Sequence, residues 1–258
     1  MSQGAITSNI DVAQIVLYLF WFFFAGLIYY LRREDKREGY PLESERSDRI
    51  RVQGFPSIPE PKVFNLGNGH SYSAPGNTAD RRDVQATPSA TFLGAPLHPS
   101  GDPLRDAVGP AAYAERGNVP DVTADGAPMI VPLRVATAYS VAREDPDPRG
   151  MTVIGADRQV AGVVRDLWID RAEPQIRYLE VDVPGPDVPI RVLVPMPLAR
   201  IDGRRREVKV VSLLASQFVH VPRTASADTV TRREEDRITA YFAGGQLYAE
   251  PSRIGPIL

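Results

Sequence analysis

Twenty consecutive residues, Val12 to Leu31, carry no charge, and Arg32-Arg33-Glu34-Asp35-Lys36-Arg37 follows them at once. A helix rises about 1.5 Å per residue, so this run reaches roughly 30 Å, the thickness of a bilayer's hydrocarbon core. It is the only such stretch, and the sequence therefore predicts one membrane crossing over residues 12–31. The flanks set its orientation, because Lys and Arg are retained on the cytoplasmic side. Residues 1–11 contain one charge, Asp11, whereas Arg32, Arg33, Lys36 and Arg37 crowd the other end. A short periplasmic N-terminus and a cytoplasmic bulk are expected. A cleaved signal peptide would need a basic leader, a shorter apolar run and a small-residue cleavage site, and those features are missing.

Within the span, Phe20-Trp21-Phe22-Phe23-Phe24 is an aromatic block, and Ala25-Gly26 is a small patch that a neighbouring helix can approach. Tyr29 and Tyr30 fall at the depth where amphipathic rings favour the headgroup region, so with Arg32 and Arg33 they are the candidate lipid-headgroup contacts. Gln14 alone does not make a conduction path, and the helix reads as an anchor.

About 225 residues follow the span, enough for one core of ordinary size with irregular segments around it. The net charge of -2 argues against a nucleic-acid partner. The absence of cysteine excludes disulfides, thiolate catalysis and thiolate metal sites. His70, His98 and His220 are isolated in sequence and lack metal-ligand spacing. No nucleophile elbow or phosphate loop is present, so neither an enzyme active site nor a cofactor or metal site is expected in this chain.

Residues 32–128 form a juxtamembrane and extended segment. Half of the 24 prolines lie between Pro41 and Pro128, which disfavours long helices and central strands. Phe55, Phe64, Tyr72, Phe92, Leu104 and Val108 are too many large apolar residues for a solvated tether. The segment is expected to lie extended on its own domain or on a partner.

Over residues 129–222 the pattern turns to short strands. In Arg177-Tyr178-Leu179-Glu180-Val181-Asp182-Val183 the apolar residues point one way, Glu180 and Asp182 the other. Turns at Ala172-Glu173-Pro174, Pro184-Gly185-Pro186-Asp187 and Asp202-Gly203 separate similar runs, which predicts a mainly-β domain, a small antiparallel barrel or sandwich. Residues 223–258 hold a helix and a tail. Thr231-Arg232-Arg233-Glu234 reads as a capping box, and Gly244-Gly245 reads as the stop after about three turns.

Several strings then combine. Tyr30-Leu31-Arg32-Arg33-Glu34-Asp35-Lys36-Arg37-Glu38-Gly39-Tyr40-Pro41-Leu42, Gly94-Ala95-Pro96-Leu97, Gly109-Pro110-Ala111, Ile130-Val131-Pro132-Leu133-Arg134-Val135-Ala136, Asp145-Pro146-Asp147-Pro148-Arg149-Gly150 and Ala240-Tyr241-Phe242-Ala243-Gly244-Gly245 stand in that order. The whole closely resembles the H subunit of the purple-bacterial photosynthetic reaction centre, and residues 151–221 look like a PRC-barrel. The resemblance implies a capping subunit in the bacterial inner, photosynthetic membrane that binds no pigment itself. Its partners would be the L and M subunits, which carry bacteriochlorophyll, bacteriopheophytin, quinones and a non-haem iron, with membrane lipids, a cytochrome subunit and the light-harvesting complex as further neighbours. A membrane-tethered PRC-barrel adaptor of another system is the alternative, and the matches at 30–42 and 94–111, outside the barrel, speak against it.

The resemblance also implies a role in proton delivery to the secondary quinone. Asp170, Glu173 and Arg177 match the family stretch beneath that quinone, and one hairpin end gathers all three. Asp125 matches an aspartate at the protein surface where protons are taken up. Some members place two histidines just after it, whereas this chain reads Asp125-Gly126-Ala127-Pro128-Met129.

Overall fold

The computed structural model describes residues 11–44, 47–67, 69, 71–76, 82–92 and 94–254. His70, residues 1–10 and the last four residues of the tail lie outside them. The chain divides into two compact units, the first ending at Arg81 and the second starting at Arg82.

In the first unit α1 (Val12–Asp35) begins where the Asp11 carboxylate accepts the Gln14 N–H at 2.7 Å, a side-chain cap for an otherwise unpaired donor. The helix runs through the whole uncharged stretch and on to Asp35, because Arg32, Arg33 and Glu34 are good helix formers. None of its residues is buried. Among the described residues it is the one helix that is long and apolar enough to cross a membrane, by length and composition. Two hairpins follow, β1 (Leu42–Ser44) with β2 (Ser47–Val52) and β3 (Lys62–Asn65) with β4 (Ser71–Ala74).

The second unit opens with the hairpin β5 (Ala86–Pro88) and β6 (Leu97–Pro99), then a single 3-10 turn, Gly109–Ala111. Seven strands make its sheet: β7 (Ile130–Pro132), β8 (Thr152–Ile154), β9 (Val160–Asp170), β10 (Gln175–Val183), β11 (Ile190–Pro195), β12 (Arg200–Asp202) and β13 (Glu207–Lys209). The order is β11-β10-β9-β8-β13-β12, with β7 also on β9. β9 is long enough to pair with β10 along one edge and with both β8 and β7 along the other. All pairs are antiparallel except β8 with β13, which are parallel and join the two ends of the domain's chain.

Leu167, Leu179, Val181, Val194, Val208 and Phe218 form the centre of the core, all fully buried. Glu180, on the opposite side of β10 from Leu179 and Val181, is buried as well. That side is covered by Arg134, which reaches across from the end of β7, and by Trp168, whose indole N–H bonds the same Glu180 oxygen; α2 (Arg232–Tyr248) follows the sheet and contacts β11.

The capping box at the start of α2 is present: Thr231 Oγ1 accepts the Glu234 N–H at 3.3 Å and Glu234 Oε2 accepts the Thr231 N–H at 2.8 Å. The expected stop is not. The helix passes through Gly244 and Gly245 to Tyr248, 17 residues in all. A Cβ on Gly244 would lie 2.5 Å from that of Ala111, and one on Gly245 would collide with the Ser212 carbonyl. The glycines therefore serve close packing instead of termination. Residues 104–111 pack with this unit too, with Leu104, Val108 and Ala111 buried, so the division falls near residue 82, whereas composition changes near 129.

Candidate functional site

The turn between β9 and β10 is built around Asp170. Its Oδ1 accepts the N–H groups of Ala172 at 2.9 Å and Glu173 at 3.1 Å, so an aspartate at the last residue of β9 closes the turn through its own side chain. Its Oδ2 faces Arg177 Nε at 3.9 Å, and the residue is only 4% exposed. Asp170 and Arg177 thus meet as the hairpin predicts. Glu173 does not turn inward: its carboxylate is exposed and accepts a bond from Gln175 Nε2 at 3.3 Å.

The same end of the sheet receives the segment before β7. Ile130 pairs with Asp170, the Arg171 N–H bonds the Met129 carbonyl at 3.0 Å, and the Arg171 guanidinium caps the Pro128 carbonyl. Asp125 lies in an exposed turn of that segment, closed by Gly126 N–H to Thr123 O at 2.9 Å and by the bridge between Val122 and Pro128. The structure therefore brings Asp125, Asp170, Glu173 and Arg177 to one end of the domain, with two carboxylates outward and one inward.

Sequence reasoning missed the group that completes the inner half. Glu235 sits in the first turn of α2, and its Oε2 accepts the Tyr178 hydroxyl at 2.9 Å. Burial, the largest influence, moves the Glu235 carboxyl upward from its ordinary value. The Tyr178 bond and the Arg177 charge oppose that rise, while Asp121 and Asp170 add to it. Burial, followed by the Glu235 charge, drives the Tyr178 phenol upward, so it remains a donor. The arrangement is a half-buried carboxyl held between one cation and two other carboxylates, an environment in which a proton can be held or released. The available signal was the capping box, which placed α2 with Glu235 one residue past Glu234.

At the other candidate site, the basic cluster after the span, the four cations have different surroundings. Arg32 bonds the Tyr40 hydroxyl at 3.3 Å and pairs with Asp35 at 3.8 Å, and Arg33 is half-buried. Arg37 pairs with Glu34 through two bonds of 2.9 Å and also donates to the Glu60 and Ala74 carbonyls at 2.7 and 3.0 Å. Lys36 is buried. Tyr29 and Tyr30 stay exposed, with Tyr29 beside the ring of Phe55. Among the described residues no group of three or more His, Asp or Glu side chains is placed to hold a metal ion.

Comparison with known families agrees with this geometry in both halves. The family model for the photosynthetic reaction centre, H-chain N-terminal region, matches residues 4–135, just over half of the chain. The PRC-barrel domain model matches residues 141–214, which span β8 to β13. The chain belongs to the H-chain family of the photosynthetic reaction centre and carries a PRC-barrel as its mainly-β domain.

Proposed function

We propose that this subunit caps the cytoplasmic side of the L and M subunits, stabilises them, and supports proton delivery to the secondary quinone during light-driven electron transfer. The family implies association with reaction-centre core subunits. Exposed apolar side chains on the β3–β4 hairpin, Val63, Phe64 and Tyr72, support a covered surface there. α1 would be the single-pass anchor, with the N-terminus periplasmic and the barrel cytoplasmic, in the photosynthetic membrane. The pigments, quinones and iron would belong to the partners, and this chain would catalyse nothing itself.

The observation that carries the proton reading is the Asp170–Arg177–Glu235–Tyr178 cluster. A quinone that leaves as quinol takes up two protons, and screening from bulk water forces them through titratable groups at hydrogen-bond spacing. Glu173 and Asp125 stand at the solvent side of the same domain end, where protons would be collected. Glu235, with its raised carboxyl, is suited to pass them on. The test is flash spectroscopy of the whole complex carrying Glu173→Gln or Glu235→Gln. Each should slow the proton-coupled second electron transfer by roughly tenfold or more and leave the initial charge separation unchanged. Wild-type kinetics of the second transfer in both variants across the neutral range would refute the relay.

A further inference from the structure

Lys36 is 1% exposed although it follows directly on an apolar helix. Its ammonium donates to the Gln53 carbonyl at 2.7 Å and the Pro56 carbonyl at 2.5 Å, and it lies 5.1 Å from the centre of the Tyr40 ring. Two carbonyls and a π face thus satisfy the charge. These carbonyls flank the tip of the loop between β2 and β3, Gly54-Phe55-Pro56. Gly54 has φ +66°, a backbone conformation that favours glycine, so the tip's turn is set by that residue. Phe55 is thrown outward at 83% exposure, and its ring centre lies 5.9 Å from that of Tyr29.

Tyr29 is seven residues, about 10 Å of helix, before Lys36. The loop therefore folds back along α1 toward the membrane and sets Phe55 at the depth of the tyrosine belt. We propose that the Gly54-Phe55-Pro56 tip is a second membrane contact, which seats the Phe55 ring in the phospholipid interface beside α1, with Lys36 as the positioning residue. A backbone tip can enter that layer only if its carbonyls are satisfied, and the buried ammonium satisfies the two that flank it. Amphipathic depth suits an aromatic ring, and the Arg32 guanidinium on the same end of α1 stands at the level of lipid phosphates. The partner is the lipid surface itself, because the ring's one described aromatic neighbour already belongs to the membrane helix.

The chain's 2 tryptophans give the test its controls, Trp21 inside the span and Trp168 in the barrel core at 1% exposure. The full-length chain in vesicles of brominated phosphatidylcholine is compared with the same chain in unbrominated vesicles. With Trp21→Phe as background, Phe55→Trp should be quenched by the brominated lipid to a degree comparable with native Trp21, and weakly by aqueous iodide. Adding Lys36→Met should release the loop, reversing both effects while helix content stays unchanged. Strong iodide quenching at position 55 without lipid quenching would overturn the membrane contact, as expected of a ring meant for a protein partner absent from the vesicle. Lipid quenching that persists with Lys36→Met would overturn the positioning role. The inference rests on α1 crossing the membrane. Loss of lipid quenching at Trp21 itself would instead overturn that reading, so the two failures are distinguishable.

Discussion

Replacing Arg134 by methionine removes the cation that holds two buried carboxylates together. Arg134 Nη1 lies 2.7 Å from Glu180 Oε2 and 3.0 Å from Asp166 Oδ2, and Trp168 Nε1 donates to the same Glu180 oxygen at 2.8 Å. Burial works against the Arg134 charge, but the bonds to Glu180 and then Asp166 outweigh it and raise the guanidinium pKa. Glu180 is 2% exposed, and its other oxygen has no hydrogen-bond partner among the described residues. The nearest further cations, Arg165 at 3.7 Å and Arg191 at 4.0 Å, are about half exposed and screened by water.

Breaking one member out of a buried ion pair costs about 3–5 kcal/mol, because a desolvated charge is left behind. Arg134 itself is 34% exposed and two outer arginines partly compensate, so the low end, about 3 kcal/mol, applies. In a chain of this size that corresponds to a fall in Tm of roughly 6–12 °C. The stranded charge is the cause, so adding Glu180→Gln to Arg134→Met should recover stability, with a coupling above about 1 kcal/mol. Thermal unfolding of the purified chain in detergent, followed by circular dichroism at neutral pH, measures both. A fall below about 2 °C for Arg134→Met, or a double variant less stable than the single one, would refute the reasoning.

Two more outcomes follow from the packing of α2. The raised carboxyl of Glu235 means that the folded state binds a proton more tightly than the unfolded one, so stability should decline as pH rises above the ordinary carboxylate value. Glu235→Gln, which keeps an acceptor for Tyr178, should flatten that decline in a series of Tm measurements between about pH 4 and 7, and an unchanged slope would show that another group titrates. Gly245→Ala should lower stability by about 2 kcal/mol in chemical unfolding although alanine is the better helix former by about 1 kcal/mol, because its Cβ would meet the Ser212 carbonyl and Leu213 Cδ2. A stabilised variant would mean that Gly245 ends no close contact and the propensity term governs.

What could be read from sequence was local. The span declares itself by length and lack of charge, and the capping box spans only Thr231 to Glu234, so both needed no knowledge of the fold. Gly244-Gly245 fails because a helix stop and a close helix contact share the same letters, and the residues that decide between them, Ala111 and Ser212, come from elsewhere in the chain. The burial of Glu180 was hidden for a similar reason: period-two alternation tells which side chains lie opposite Leu179 and Val181, but not that Arg134 and Trp168 cover that side. Lys36 and Arg37 follow the same rule, since their sequence position sets topology while their carbonyl partners, Gln53, Pro56, Glu60 and Ala74, lie 17 to 37 residues on.

The candidate proton site divides along the same line. Asp170 and Arg177 are joined by a hairpin turn, so their meeting at 3.9 Å was legible once Asp170 and Gln175 bounded the turn. Glu173 is on the same turn, yet proximity in sequence left its carboxylate outside, where it accepts a bond from Gln175 while Asp170 Oδ1 takes the two turn N–H groups. Glu235 is 57 residues from the Tyr178 hydroxyl that it accepts. A carboxyl that can hold a proton needs desolvation as well as a partner, and desolvation comes from elements that pack only in the folded chain. Asp125, Asp170 and Glu173 could therefore be named from sequence and resemblance, while Glu235 required α2 to bring its first turn to the Tyr178 hydroxyl.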